Sequence, residues 1–365
     1  MKIIASYITK EVLLAFAVIT GVLLLIVLSN RFAIYLAKAA TGELPIGLVL
    51  KIVGLYTPEL LSYLIPLGFF MAILFGLGRL YIDSEMTVLA ACGISANYIS
   101  RLILMLACLI MTITALLTLW IVPQVTQWRE EALSEGEAYG VMQSLLPGRF
   151  QTFSEGKLVF YLEDSFKKQE VLKGVFIAER PREVAEEDHG WTLITAQQAQ
   201  LKREEETKDF YLVLQDGYRY QGVPGAANYT VVSFKEYGRA IPHETEPVSS
   251  DILRIKNNIS LLHSTTPEDS AELQWRLSLP LTVPILALIA VPLARVRPRQ
   301  GRFAKFFPAI VIYIIYYNLF TVCRRWVAAS VIPSFVGVWW VHGLFAFLGV
   351  LLMVKEFGWR KRKKS

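Results

Sequence analysis

The sequence predicts an α-helical integral membrane protein with six transmembrane helices and one antiparallel β domain inserted at mid-chain. Two observations carry this. Three long apolar stretches lie before residue 126 and three more after residue 271. The block between them is polar, charge-rich and alternating. A helix needs roughly 20 apolar residues to cross the hydrocarbon core. The 54% hydrophobic content of the 365 residues averages these two textures. The expected organisation is 1–125 for the first three spans, 126–271 for the inserted domain with its connectors, and 272–365 for the last three spans and a basic tail.

Taken in order, the spans fall near Val12–Leu36, Leu60–Gly78, Tyr98–Val122, Leu273–Ala294, Phe303–Val322 and Val331–Val354. The first is too long for a signal peptide, and no small-residue cleavage site closes it, so it reads as a retained anchor. The second apolar stretch starts at Ile46, too early for a simple crossing, so its first part should tilt or project. Lys and Arg set the orientation. Lys2, Lys10, Arg79, Arg101, Arg295, Arg297, Arg299, Arg302, Lys305, Lys355 and the tail Arg360–Lys364 all fall on one face of a six-span layout. That face is the cytoplasm, with both termini inside and the inserted block outside. The net charge of +6 reflects this bias, and no nucleic-acid partner is needed to explain it.

Between the second and third spans, Asp83 or Ser84 is a good N-cap and Gly93 a good stop. Acidic residues in the first turn suit the helix dipole. The spacing predicts a helix of about ten residues, over 83–93, with Met86, Leu89, Ala90 and Gly93 on one face. It is too short to stand alone in water. Either the chain's own spans cover it or it docks on a cytoplasmic partner, with Glu85 as anchor.

In the inserted block, 158–162, 172–177, 210–214 and 229–234 are rich in β-branched and aromatic residues. Asp216-Gly217 is a hairpin signal. The expected product is an antiparallel sandwich or partly open barrel, serving either as a docking cover or as a groove for an apolar chain. The segments Gln127–Glu137 and Ile252–Ser260 read as helical or irregular connectors. Cys92, Cys108 and Cys323 all lie outside this block, so it has no disulfide staple, and no metal spacing appears.

Catalytic signatures are missing. His189, His243, His263 and His342 are scattered, and His342 reads as a hydrogen-bonding residue in the last span. There is no G-x-S-x-G elbow and no H-E-x-x-H. Gly156-Lys157 lacks the spacing of a phosphate loop. The chain reads as a non-enzyme. Glu59, beside Pro58 in an apolar stretch, is a functional candidate by position. Its structural alternative is a carboxyl that caps backbone freed by Pro58 or bonds Thr57 or Ser62.

Three segments, RLYIDSEMTVLAACGIS (79–95), ELQWRLSLP (272–280) and RPRQGRF (297–303), together resemble the lipopolysaccharide export permeases, the LptF/LptG family. The latter two are more similar to its F-type subunits. The likeness extends over nearly the whole chain and implies a bacterial inner-membrane permease with a periplasmic β-jellyroll domain. It implies a G-type permease partner, a cytoplasmic ATPase dimer that binds the ATP and Mg, a periplasmic jellyroll bridge protein and a single-span bitopic subunit. No cofactor is expected in this chain. By resemblance Glu85 matches a coupling-helix glutamate, with Asp83, Ser84, Met86 and Leu89 beside it. Lipopolysaccharide phosphates need basic contacts near the outer leaflet, for which Arg31, Arg276, Arg324 and Arg325 are candidates. Where F-type subunits often carry a second basic residue one turn after Arg31, this chain has Ile34. Glu272 and Arg276 are also spaced for an i,i+4 pair. Phe150 and Phe153, beside the first strand, are candidates for a jellyroll entrance and equally for core. Two other functions fit the same layout: the permease of another ATP-driven lipid or lipoprotein exporter, and a non-transporting membrane scaffold.

Overall fold

The structure, a computed structural model, describes residues 2–40, 44–144, 148–153, 158–166, 171–179, 190–203, 210–223, 229–240, 253–295 and 306–357. The RPRQGRF segment, the basic tail, His189 and His243 lie outside them. The described residues hold six helices long and apolar enough to cross a membrane. The chain divides into two compact units: Met1–Arg31, Val53–Arg129 and Pro247–Ser365 in one, Phe32–Ile52 and Glu130–Glu246 in the other.

The helices are α1 (Lys2–Ala40), α2 (Ile46–Ile82), the short α3 (Glu85–Ala91), α4 (Ala96–Leu116), α5 (Val122–Ser144), α6 (Asn258–His263), α7 (Pro267–Leu293), α8 (Phe306–Ala328) and α9 (Trp339–Phe357). In the first unit α7 is the central helix, packed against α4, α8 and α9. It opens with Pro267 at its first turn and a Thr266 hydroxyl that accepts from the Asp269 N–H at 3.4 Å. Val283, Ala287 and Ile289 on α7 meet Phe69, Phe70 and Ile73 of α2 in one core cluster. Small residues let α1 come close to α2. A Cβ on Gly68 would lie 2.1 Å from Thr20 Oγ1, and one on Gly76 would lie 3.3 Å from Val12 Cγ2. The last span starts later than expected, at Trp339. Before it, Gln274 of α7 holds a turn, donating to Ser334 O at 2.6 Å and accepting from Val338 N at 3.1 Å.

The third span does not stop at Val122. Helix continues from α4 through a π turn, Leu117–Ile121, into α5. The cause is Pro123, which has no N–H to offer the Leu119 carbonyl four residues back. Asn258 Nδ2 takes that carbonyl instead, at 2.5 Å.

The second unit holds the expected antiparallel sheet: β1 (Gln151–Phe153), β2 (Leu158–Phe166), β3 (Val171–Glu179), β4 (Trp191–Arg203), β5 (Phe210–Gly222) and β6 (Tyr229–Ala240). Each strand pairs with the next in sequence. One row breaks the ladder across the sheet. Pairing runs Leu162↔Val175↔Ala196↔Gly217↔Phe234, resumes at Asp164↔Lys173↔Gln198↔Gln215↔Glu236, and omits Glu163, Gly174, Gln197, Asp216 and Lys235 between them. Gly174 and Asp216 have φ of 60° and 52°. Buried positions change parity across the row: Leu172 then Val175, Ala196 then Ala199. Each of β2 to β6 therefore carries one unpaired residue at the same level, a bulge-like distortion that creases the sheet. This corrects the hairpin expected at Asp216-Gly217. The pair lies inside β5, where a Cβ on Gly217 would sit 2.1 Å from Thr195 O.

Candidate functional site

Two groups of polar residues in the helical unit are candidates, one at each end of its long helices. The first surrounds α3. Ser84 precedes the helix in the left-handed region, φ 61°, and its side chain makes no cap bond. The expected side-chain cap is thus replaced by backbone: the Ser84 carbonyl accepts from Thr87 N at 3.0 Å and Val88 N at 3.1 Å. Gly93, φ 86°, ends the helix as expected. Ile94 N bonds Leu89 O at 3.0 Å and Gly93 N bonds Ala90 O at 3.1 Å, a Schellman closure.

Met86 is 5% exposed and joins the bundle core, with Leu89 packed against it. The chain's own spans cover this face, so Met86 and Leu89 do not point outward. Ala90, expected with them, is exposed. The outward face carries Thr87, Val88, Ala91 and Cys92, with Val88 60% exposed. Glu85 Oε2 accepts from the Tyr7 hydroxyl of α1 at 2.9 Å. Arg79 bonds Glu11 at 2.9 Å and lies 3.7 Å from Asp83. Two polar ties therefore hold the α2–α3 segment to the start of α1.

The second group lies where α1 and α8 end and α7 begins. Glu59, 6% exposed, carries neither expected structural role. Ser62 Oγ donates to the Glu59 backbone oxygen at 2.7 Å, and Thr57 Oγ1 to Val53 O. The carboxylate instead takes Arg129 Nη1 at 2.5 Å and Arg254 Nη1 at 2.8 Å. Neither arginine stands out in the sequence. The only local hint was Arg129 in a segment following an apolar span. Arg129 is 1% exposed, and its guanidinium sits 4.1 Å from the Tyr56 ring centroid. Arg31 sits over the same ring at 5.1 Å.

Beside it, Glu272 joins Arg276 at 3.0 Å, the pair its spacing allowed, and Arg324 at 2.7 Å. Arg276 Nη1 also donates to Lys256 O and Asn258 Oδ1, and Nη2 to Leu253 O and Arg254 O. These bonds use all five guanidinium donors. Arg276 therefore has none left for a lipid phosphate and clamps the returning connector instead. Arg324 stacks 4.5 Å over Trp275 and is partly exposed, and Arg325 is exposed.

In the sheet unit Phe150 is 68% exposed, with its ring 4.8 Å from Tyr161 and 6.2 Å from Phe176. Phe153 is the last residue of β1, and its side chain lies outside the described set. His342 shares a 2.6 Å hydrogen bond with Tyr316, the neighbour role expected of it. Among the described residues no group of His, Cys, Asp and Glu could hold a metal ion.

Residues 6–355 match the family described as lipopolysaccharide export system permease LptF/LptG. The chain is 29% identical over 354 residues to the lipopolysaccharide export system permease protein LptF of Escherichia coli K12, covering 96% of this chain and 94% of that protein. The same protein of Shigella flexneri matches equally.

Proposed function

The chain belongs to the LptF/LptG family of lipopolysaccharide export system permeases, and we propose that it is the F-type permease subunit of an ATP-driven exporter. In this reading the complex extracts lipopolysaccharide from the inner membrane and passes it to a periplasmic jellyroll bridge. A G-type permease pairs with this chain, and a cytoplasmic ATPase dimer binds the ATP and Mg. Both termini face the cytoplasm and the sheet unit faces the periplasm. The positive-inside distribution supports that orientation. A single-span bitopic subunit completes the assembly.

One observation carries the reading: α3. A helix of seven residues has no stability of its own. Here a left-handed Ser84 and a Schellman glycine frame it, and Met86 roots it in the core. Its outward face and the Glu85 oxygen not held by Tyr7 face a partner in this reading. In this assignment Glu85, Asp83 and Ser84 meet the ATPase, and Met86 and Leu89 transmit its movement inward.

Charge reversal tests it. Glu85→Arg should leave the protein in the membrane at normal level. Lipopolysaccharide reaching the cell surface should fall at least tenfold, the scale of a lost charge-assisted contact of about 1.5–3 kcal/mol. Normal surface lipopolysaccharide in that variant would remove the coupling role.

A further inference from the structure

We propose that Glu59, with Tyr56, is a positioning residue that couples the helical bundle to the inserted domain, by holding together the two connectors that lead out of the bundle and back, through Arg129 on α5 and Arg254 before α6. This rests on the permease reading. The helical unit is built from three stretches of chain, and its internal ends are Arg31, Val53, Arg129 and Pro247. Each end contributes to one cluster. Arg31 and Arg129 are themselves the last residues of their stretches. Tyr56 and Glu59 follow Val53 by a turn or two, and Arg254 follows Pro247.

Glu59 binds Arg129 and Arg254, residues 70 and 195 positions away, and Tyr56 lies under Arg31 and Arg129. Arg276 then fixes the backbone of the returning connector through Leu253 O, Arg254 O and Lys256 O. α2 therefore grips the exit on α5 and the return before α6 through a single carboxylate.

Packing alone would not select these residues. Buried ion pairs often stabilise no better than apolar groups of the same volume. What the pairs add is direction, because a carboxylate held by two guanidinium groups tolerates little displacement. Pro58, immediately before Glu59, removes one backbone bond from α2 at this level. Motion of α2 therefore reaches both connectors through Glu59 rather than being lost in them.

The test uses the purified complex with its partner permease and ATPase in vesicles containing lipopolysaccharide, with ATP hydrolysis and lipopolysaccharide release measured together. Glu59→Gln keeps the shape and removes the charge. Arg254→Met breaks one arm at a partly exposed position, and decides alone if the first variant does not fold. The expected result is hydrolysis within about twofold of normal and release per ATP lowered about tenfold, the usual size of a lost coupling. Unchanged release per ATP overturns the proposal. So do hydrolysis and release that fall together in step with the folded complex, which is what a purely structural cluster gives. A wild-type complex that hydrolyses ATP but releases no lipopolysaccharide overturns the permease reading, and this proposal with it.

Discussion

At the scale of single residues, Arg276 shows how a charge can be fully absorbed by structure. Its guanidinium meets one carboxylate, one amide oxygen and three carbonyls. Arg276→Ala would leave Glu272 with Arg324 alone and orphan the connector carbonyls. The expected loss is about 3–5 kcal/mol, seen as lower thermal stability of the detergent-solubilised protein. Arg276→Lys should recover little of it, because an ammonium brings three donors without the planar fork. A lysine variant as stable as the wild type would contradict this. The Glu272–Arg276 pair was legible because both residues lie on one helix, four apart. The partners of Glu59 were not, because they lie 70 and 195 positions away and no local pattern spans such distances. Sequence could mark the buried carboxylate as costly. It could not say who neutralises it.

At the scale of elements, apolar length was a reliable guide and polarity was not. The six long helices among the described residues follow from runs apolar and long enough to cross a bilayer. The sequence marks α5 only as a helical or irregular connector, because it carries Arg129, Glu130 and Glu131 and has no apolar stripe to announce it. It forms by continuing a helix already nucleated in α4. β4 was missed for a related reason: its run of Ala and Gln has weak strand preference, and pairing on both sides overrides that. The crease defeated the hairpin rule, since Asp tolerates the left-handed region both in turns and within a distorted strand. Close approach of α1 and α2 rests on Gly68. Gly68→Val should drive the helices apart by placing Cβ on the Thr20 hydroxyl. Thr20→Ala should recover part of the loss in a double-mutant cycle read by thermal unfolding. Purely additive effects would show that the two residues do not meet.

At the scale of the whole molecule, the chain is a permease built as a helical bundle with a creased antiparallel sheet inserted between its third and fourth spans. The polar residues of the bundle gather at its two ends. Glu85 with Tyr7 and Arg79 with Glu11 mark one, and the Glu59 and Glu272 clusters mark the other. Between them lies a core with few charges, centred on α7. Such a bundle suits the proposed transmission of movement from α3 to the Glu59 cluster. The measurement that tests this most directly is purification of the tagged chain from its native membrane, with mass spectrometry of both proteins and lipids. The account predicts a second six-span permease, an ATPase and lipopolysaccharide in the same complex. A well-folded sample that brings neither an ATPase nor lipopolysaccharide would contradict it.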